Sequence, residues 1–341
     1  MDWDWLLNQI RRIHEEIRYR VTEACESGSQ DAICTVIEDG DGDTIYAVDR
    51  ISEDILVEAF DREIAARYPL VLIAEGLHGG KITLPRGTKE SKTVLRVIAD
   101  PIDGTRCRMY QKRSGWILTG VALNRGEETS LPDIEIAIQT KLPLVKQHLC
   151  DTLWAFKGAG VQCERLNRVT GERHPILLKP STAVDLANGF GSVTRFFAGA
   201  REISASIDDE IAYKAQGPTS AGKSHCFEDQ YLSTGGQLYE LMSGHDRFIV
   251  DLRPLLHPAD QPIGLCCHPY DICTELIARE AGVLVADEIG NPLRAPLNLE
   301  AEVAWSGYAN ARLRDLVEPL LHQALQTRGL LIRERLPGNV D

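Results

Sequence analysis

The sequence predicts a mixed α/β protein, built either as two domains or as one large α/β body. Its 341 residues exceed the roughly 150 of an average domain and suffice to bury a large core. Helical and strand patterns follow one another along the chain, broken by Gly, Pro and Asn. The composition, 43% hydrophobic and 26% charged, is typical of globular proteins and excludes a disordered or fibrous chain.

Helices are predicted where apolar residues recur every three or four positions. Such a stripe covers residues 3–20, and a second helix is expected over 52–67, with Ser52 as its N-cap. A third helix is expected over 269–281. Short β-branched or alternating runs predict strands at Leu70–Ala74, Val94–Ala99, Ile117–Leu123, Ile134–Gln139 and Val283–Asp287.

A polar, loop-like stretch from Lys157 to Pro180 marks the expected domain boundary. We therefore expect an N-terminal α+β domain of residues 1–180 and a C-terminal α/β domain of residues 181–341. Neither half contains an internal repeat or a low-complexity segment.

Charge, cysteine content and apolar runs indicate which partners and which cellular compartment to expect. The chain has 37 Lys and Arg against 50 Asp and Glu, a net charge of −13, which argues against binding nucleic acid through its phosphates. Nine cysteines, an odd number without a C-x-x-C pair, indicate a reducing compartment. The N-terminus does not resemble a signal peptide, and no apolar run approaches the roughly 18 residues of a membrane helix. A cytoplasmic protein without a membrane partner is expected.

Two carboxylates lie where an apolar strand is expected to end, in Asp-Pro-Ile-Asp-Gly-Thr at Asp100–Thr105. Gly104 allows the backbone to approach a ligand, and the amides of Gly104 and Thr105 are candidates for binding an anion. Hard divalent cations such as Mg²⁺ prefer oxygen ligands of this kind. The alternative is a turn that merely caps a helix, the commoner use of Asp-Pro and Asp-Gly.

Further acids stand in comparable places. Glu75 follows the strand Leu70–Ala74, 25 residues before Asp100. Asp271 falls in the first turn of the predicted third helix, where stabilisation of the helix dipole is the alternative explanation. These acids add weight to a metal site at Asp100.

Together these segments resemble the inositol monophosphatase family of Mg²⁺-dependent, lithium-sensitive phosphatases. Five motifs occur in the family's order. Ala47-Val48-Asp49 is similar to Thr-x-Ala-Asp, Ala74-Glu75-Gly76 to Gly-Glu-Glu, Asp100–Thr105 to Asp-Pro-x-Asp-Gly-Thr, Ser233–Gly236 to Ser-x-Gly-Ser/Thr, and Tyr270–Leu293 to Trp-Asp…Glu-Ala-Gly-Gly…Asp-x-x-Gly-x-Pro-Leu. The resemblance implies a layered αβαβα sandwich of the inositol monophosphatase/fructose-1,6-bisphosphatase type, with the active site between its halves.

The resemblance also implies the chemistry: hydrolysis of a small phosphate monoester by a water activated by Mg²⁺. One ion is expected on Glu75, Asp100 and the Ile102 carbonyl, and a second on Asp100, Asp103 and Asp271. A third ion is in question because Gly76 replaces the family's second acid.

The remaining site residues follow from the same resemblance. Thr105, paired with Asp49, is expected to orient the water, although Asp49 as an N-cap is the alternative. Gly104, Thr105 and Ser233 are expected to bind substrate. Asp251 and Arg253 resemble the Asp-Val-Arg of archaeal-type relatives and suggest sugar contact.

The substrate itself stays open among phosphate esters. Inositol monophosphate, fructose 1,6-bisphosphate, 3′(2′),5′-bisphosphate nucleotides and histidinol phosphate all suit this chemistry, and the resemblance leaves a homodimer open. A metal-binding pseudoenzyme is a further alternative, against which the complete set of acids argues.

One motif points to a different class of protein. Gly217–Ser224 matches the P-loop pattern G-x-x-x-x-G-K-[ST], which would make the chain a nucleotide-binding protein. A P-loop needs a buried strand before it, and Tyr213–Gln216 does not resemble one, so a polar loop is the favoured interpretation.

Three other patterns resemble ligand-binding sites. Asp39, Asp41 and Asp43 start like a Ca²⁺ loop but lack its Gly and Glu, so a hairpin turn is expected instead. Cys266 and Cys267 lack a second pair at zinc spacing and are expected to be buried thiols. A basic cluster is either an anion-binding group or a solvated face; it comprises Arg106, Arg108, Lys112 and Arg113.

Overall fold

The computed structural model describes residues 1–27, 36–38, 45–218, 223–256 and 265–331. Its helices are α1 (Trp3–Ser27), α2 (Ala47–Phe60), α3 (Thr105–Met109), α4 (Arg201–Gln216), α5 (Thr234–Met242), α6 (Pro269–Ile272), α7 (Glu275–Glu280) and α8 (Ala311–Thr327). The strands of the first half are β1 (Val36–Glu38), β2 (Ile45–Tyr46), β3 (Leu70–Ala74), β4 (Lys81–Leu84), β5 (Leu95–Asp103), β6 (Gly115–Leu123), β7 (Ile134–Leu142), β8 (Leu149–Phe156), β9 (Val161–Asn167) and β10 (Arg173–Pro175). Those of the second half are β11 (Gly189–Val193), β12 (Cys226–Phe227), β13 (Asp246–Asp251), β14 (Leu284–Ala286) and β15 (Trp305–Tyr308).

Two sheets organise the described residues, beside a small β1–β2 pair. The first has eight strands in the order β10-β9-β8-β7-β6-β5-β3-β4, antiparallel except for β3 beside β5. The second has five strands in the order β12-β11-β13-β15-β14, with β11 parallel to both of its neighbours. All strands of the eight-stranded sheet precede residue 180, and all strands of the five-stranded sheet follow it.

Five layers result because each sheet buries both faces. Helices α1 and α2 cover one face of the eight-stranded sheet through a core that includes Leu6, Ile10 and Phe60. Helices α5, α6 and α7 pack between the two sheets, and α4 and α8 cover the outer face of the second. The predicted αβαβα sandwich is thus confirmed. The middle helices contact both sheets and so connect the two halves of the chain. The division into two domains therefore stays a prediction.

Several local predictions differ from the structure. Helix α2 begins at Ala47, so Ser52 is not its N-cap; its hydroxyl donates to the Asp49 carbonyl (2.7 Å) inside the helix. The expected loop at 157–180 contains β9 and β10. These strands lie at the edge of the sheet, where charged side chains face solvent and hide the strand pattern. The helix predicted over 269–281 is interrupted between α6 and α7.

Some predictions concern parts of the chain that are not described. The acidic loop with Asp39, Asp41 and Asp43 lies outside the described residues, although the strands on either side of it pair antiparallel. Residues 219–222 of the P-loop-like segment also lie outside them. Among the described helices, none has the length and apolar composition needed to cross a bilayer.

Candidate active site

The candidate site begins with an irregularity in β5. Asp100 pairs with Leu118 on β6 and Asp103 pairs with Trp116, so Pro101 and Ile102 of β5 stand opposite the single residue Ile117 of β6. Pro101 has no amide proton for the ladder, which fits the interruption. In a regular strand, residues three apart point to opposite faces. The extra residue brings the Asp100 and Asp103 carboxylates to the same side.

Three carboxylates meet at this bulge. Oxygen atoms of Asp100, Asp103 and Asp271 all lie within 4.8 Å of one another, with Asp100 and Asp103 buried and Asp271 half-buried. Burial raises the pKa of Asp100 well above its usual value, and the charges of Glu75, Asp103 and Asp271 raise it further. One backbone amide, that of Ile102, donates to Asp100 Oδ1 (2.9 Å).

The N-terminus of α5 orients Asp103. Its Oδ2 accepts from the Ser233 hydroxyl (2.7 Å) and from the Gly235 amide (2.6 Å). Ser233 is also the N-cap of α5, since its oxygen accepts from the Gly236 amide (2.9 Å). Burial raises the pKa of Asp103 to about 6 although these hydrogen bonds oppose the rise. Ser233 therefore contacts an acid of the cluster.

Asp271 enters the cluster from α6, in whose first turn it lies as predicted. Its Oδ2 accepts from the His268 amide (2.6 Å), which fixes the carboxylate at the helix start. Burial and the charge of Asp103 raise the pKa of Asp271 well above its usual value.

A recess of about 540 Å³ opens in front of these acids. Glu75, directly after β3, lines it together with Ile102, Gly104 and Thr105. The Glu75 carboxylate is half-buried and close enough to raise the pKa of Asp100. The sequence-predicted metal ligands thus face one recess, although Glu75 does not belong to the tight group of three.

Thr105, which lines this recess, contacts Asp49. The Thr105 hydroxyl lies 2.9 Å from Asp49 Oδ1 and 2.8 Å from the Ile102 carbonyl oxygen. Asp49 lies in the first turn of α2 and is not its N-cap. Gly104 has a φ of +87°, and a Cβ there would approach the Leu232 carbonyl to 3.0 Å, so the turn requires glycine.

Asp251 and Arg253, which the sequence suggests for sugar contact, form an ion pair with each other. Asp251 is fully buried and binds the Arg253 guanidinium through both oxygens (2.6–3.0 Å). Arg253 Nη1 donates to the Leu265 carbonyl (2.8 Å). Arg253 lines the recess and Asp251 does not. All three guanidinium nitrogens of Arg253 are therefore engaged within the protein.

Sequence reasoning missed Glu53. Its carboxylate lies against Gly76, where a Cβ would overlap it, so Glu53 occupies the space in which a side chain at position 76 would start. Burial raises its pKa to about 7, although Arg50 lies 3.4 Å away. The signal was available: Glu53 stands four residues after Asp49, on the same face of α2.

The basic cluster is divided by the fold. Arg106 lines the recess, Arg108 is fully buried beside Cys25, Lys112 is exposed, and Arg113 pairs with acids outside the recess.

The P-loop-like segment follows helix α4 and not a buried strand, and its described residues do not line the recess. Cys266 and Cys267 are buried thiols, as expected.

The donor set suits a hard divalent cation. Every group offered by the cluster is an oxygen, and the guanidinium of Arg253, which also lines the recess, is already paired with Asp251. Burying like charges together without a cation is unfavourable. The residues present therefore fit Mg²⁺, whose preferred ligands are carboxylates and water.

Comparison with known proteins gives matches among solved structures. No protein-family model matches the sequence, and no curated protein matches it. The chain is similar to an inositol monophosphatase–fructose 1,6-bisphosphatase at 20% identity and a TM-score of 0.63, over 94% of this chain and all of that one. It is similar to a Leishmania major fructose-1,6-bisphosphatase at 15% identity and a TM-score of 0.65, over 94% of each chain. A Thermotoga maritima inositol monophosphatase matches at 16% identity and a TM-score of 0.62, over 96% of this chain and 99% of that one. The chain therefore has the inositol monophosphatase/fructose-1,6-bisphosphatase fold.

Proposed function

Proceeding from this fold, we propose that the protein is a Mg²⁺-dependent phosphatase that hydrolyses a small phosphate monoester. The observation that carries the proposal is the group of Asp100, Asp103 and Asp271 oxygens, gathered within 4.8 Å at one end of β5 without a paired cation among the described side chains. Two similar structures with the same fold bear the name inositol monophosphatase. Their activity supports the proposal by analogy of fold.

The residues divide the work between binding and proton transfer. When bound, Mg²⁺ would activate the attacking water and stabilise charge on the phosphate and the leaving oxygen. Asp100, Asp103, Asp271, Glu75 and the Ile102 carbonyl are the oxygens that would hold it.

The attacking water would donate its proton to the Thr105 hydroxyl oxygen, which donates in turn to Asp49 Oδ1 at 2.9 Å. Asp49 would thus act as the base, and Thr105 would orient the water. The backbone of Gly104 lines the recess, where its amide is a candidate donor to the phosphate.

The test is phosphate release from a panel of esters with and without Mg²⁺. The panel contains inositol 1-phosphate, fructose 1,6-bisphosphate, a 3′,5′-bisphosphate nucleotide, histidinol phosphate and ATP. We expect Mg²⁺-dependent release from at least one monoester and its loss, by on the order of a thousandfold, in Asp100→Asn.

A matched control is Asp246→Asn. Asp246 is also a buried acid with a pKa raised by burial, to about 7, but it lies outside the recess. Its variant should keep the wild-type rate. Release that survives in Asp100→Asn, or that occurs from ATP alone, would reject the proposed site.

A further inference from the structure

One wall of the recess is aromatic. Phe196 and Phe197 follow β11 and line the recess together with Tyr270. The two Phe rings meet edge to face, with centroids 5.0 Å apart, and both are partly exposed. The Tyr270 ring stacks on His268 at 5.3 Å and 12°. Three aromatic side chains therefore surround the space next to the proposed phosphate site.

The Phe pair is held rigidly by its backbone. Arg201, the first residue of α4, donates from Nη2 to the Phe196 carbonyl and from Nε to the Phe197 carbonyl, both at 2.7 Å. On the other side, the amide of Arg195 donates to Gln230 Oε1 (2.8 Å). A wall fixed at both ends can select the shape of a ligand, because little conformational freedom is lost when the ligand binds.

The guanidinium of Arg253 extends this wall as a flat surface. Its Cζ lies 4.6 Å from the Phe196 centroid and 5.5 Å from that of Phe197. Hydrogen bonds to Asp251 and to the Leu265 carbonyl fix the plane of the Arg253 guanidinium beside the two rings, where it can stack with a flat ligand.

Other residues of the recess suit a ring without hydroxyl groups. The hydroxyls of Thr105 and Ser233 are engaged with Asp49 and Asp103. Leu232 and Leu265, which also line the recess, offer no polar side-chain atom. A flat apolar ring can contact these four residues without leaving a polar group of its own unpaired.

We propose that the leaving group of the substrate contains a flat aromatic ring on a short alcohol, stacked against Phe196, Phe197 and Arg253. This inference rests on the proposed function, since it assigns the phosphate to the acids and the ring to the aromatic wall. Aromatic rings and guanidinium planes attract a further flat ring by stacking, which a saturated ring of equal size does not reproduce.

The experiment compares esters that differ in the ring alone. Benzyl phosphate and cyclohexylmethyl phosphate are similar in size, and inositol 1-phosphate represents the polyols. With Mg²⁺ present, we expect the kcat/KM for benzyl phosphate to exceed that for cyclohexylmethyl phosphate about fivefold, and that for inositol 1-phosphate by more. In Phe196→Leu and Phe197→Leu the benzyl preference should shrink through KM, while Phe196→Tyr should retain it.

Phe190→Leu provides the matched control. Phe190 is an exposed aromatic residue that pairs with Phe227 at 5.6 Å, away from the recess, so its variant should keep both the rate and the preference.

Calorimetric binding of benzylphosphonate and cyclohexylmethylphosphonate gives a second readout that needs no hydrolysis. If no ester is hydrolysed, the proposed function fails, yet tighter binding of benzylphosphonate that is lost in Phe197→Leu still supports the wall. Equal binding and equal rates for the two rings, or a preference for inositol 1-phosphate, would overturn the inference.

Discussion

Two carboxylates in the same sheet, Asp100 on β5 and Asp151 on β8, are equally buried but have opposite surroundings. Asp151 is 2% exposed and binds Arg165 through both oxygens (2.7 and 2.8 Å), while the Tyr239 hydroxyl donates to it at 2.6 Å. Asp100 is 1% exposed and has like charges as neighbours, those of Glu75, Asp103 and Asp271.

The difference indicates what each site is for. Where the fold alone is at stake, as at Asp151, the chain supplies a cation and a hydroxyl that satisfy the buried charge. At Asp100 it leaves the charge without such a partner and gathers more acids around it. A buried charge that the protein does not balance is costly, and a bound divalent cation would balance it. The contrast supports the assignment of Asp100 to a metal site.

The largest effect is expected when an acid of the cluster, Asp271, is neutralised, with the same change at Asp151 for comparison. Asp271→Asn should lower Mg²⁺-dependent hydrolysis on the order of a thousandfold, yet raise the metal-free stability, because it removes a like charge from the cluster. The asparagine can still accept from the His268 amide through its side-chain oxygen. Activity assays and urea unfolding of the metal-free protein measure the two effects.

Asp151→Asn is the matched control for that experiment. It should lower the unfolding free energy by about 2 kcal/mol. The loss is less than for a fully buried ion pair because Arg165 is partly exposed and water can solvate its guanidinium. The folded fraction should keep its activity. If both variants were destabilised alike in the absence of metal, the contrast between the two sites would be broken.

The pH dependence of stability should show the same contrast. The pKa values of Asp100 and Asp271 are raised, that of Asp103 to about 6 and that of Glu53 to about 7. The folded protein therefore binds more protons than the unfolded chain at mildly acidic pH, and stability is lost as the pH rises through these values. Without metal, we expect the melting temperature to fall by about 2–4 °C between about pH 5 and pH 8.

Saturating Mg²⁺ should reduce or reverse that fall, because the ion binds the deprotonated acids. Burial lowers the pKa of His14 to about 3, so His14 makes stability rise with pH. Burial raises the pKa of Asp246 to about 7, so Asp246 makes stability fall with pH, as the cluster does. Both are present in Asp271→Asn as well, so the difference between wild type and this variant isolates the cluster. A pH profile identical in the two proteins would show that the cluster does not titrate as argued.

The fold was predictable to the extent that local pattern and motif order determine it. The buried strand β3 is a continuous apolar run followed by Glu75, and β5 contains the apolar run Val97–Ala99 directly before Asp100. Strands β9 and β10, the last two at one end of the sheet, were missed because their charged and partly exposed residues resemble a loop. The start of α2 was missed because serine is common as an N-cap but also occurs inside helices, so Ser52 alone does not show where the helix begins.

The candidate site was predictable where its residues belong to motifs and not where they come together only in three dimensions. Asp100, Asp103 and Asp271 were identified from the sequence, but the bulge that turns two of them to one side is visible only in the pairing with β6. Phe196 and Phe197 carry no motif. Asp251 and Arg253 were expected to contact a sugar, and their pairing with each other could not be seen from the sequence.

The smallest effect is expected at Lys223, the residue that a P-loop would require. Its side chain is exposed, the helix α4 precedes its segment, and it does not line the recess. Lys223→Ala should therefore leave Mg²⁺-dependent release within about twofold of wild type, as for an ordinary surface position. A P-loop enzyme would lose on the order of a hundredfold or more, because the lysine contacts the transferred phosphate. Asp271→Asn is assayed in parallel. A large loss in Lys223→Ala would indicate that phosphate is bound at the P-loop-like segment, whereas a rate near wild type would support the site at Asp100, Asp103 and Asp271.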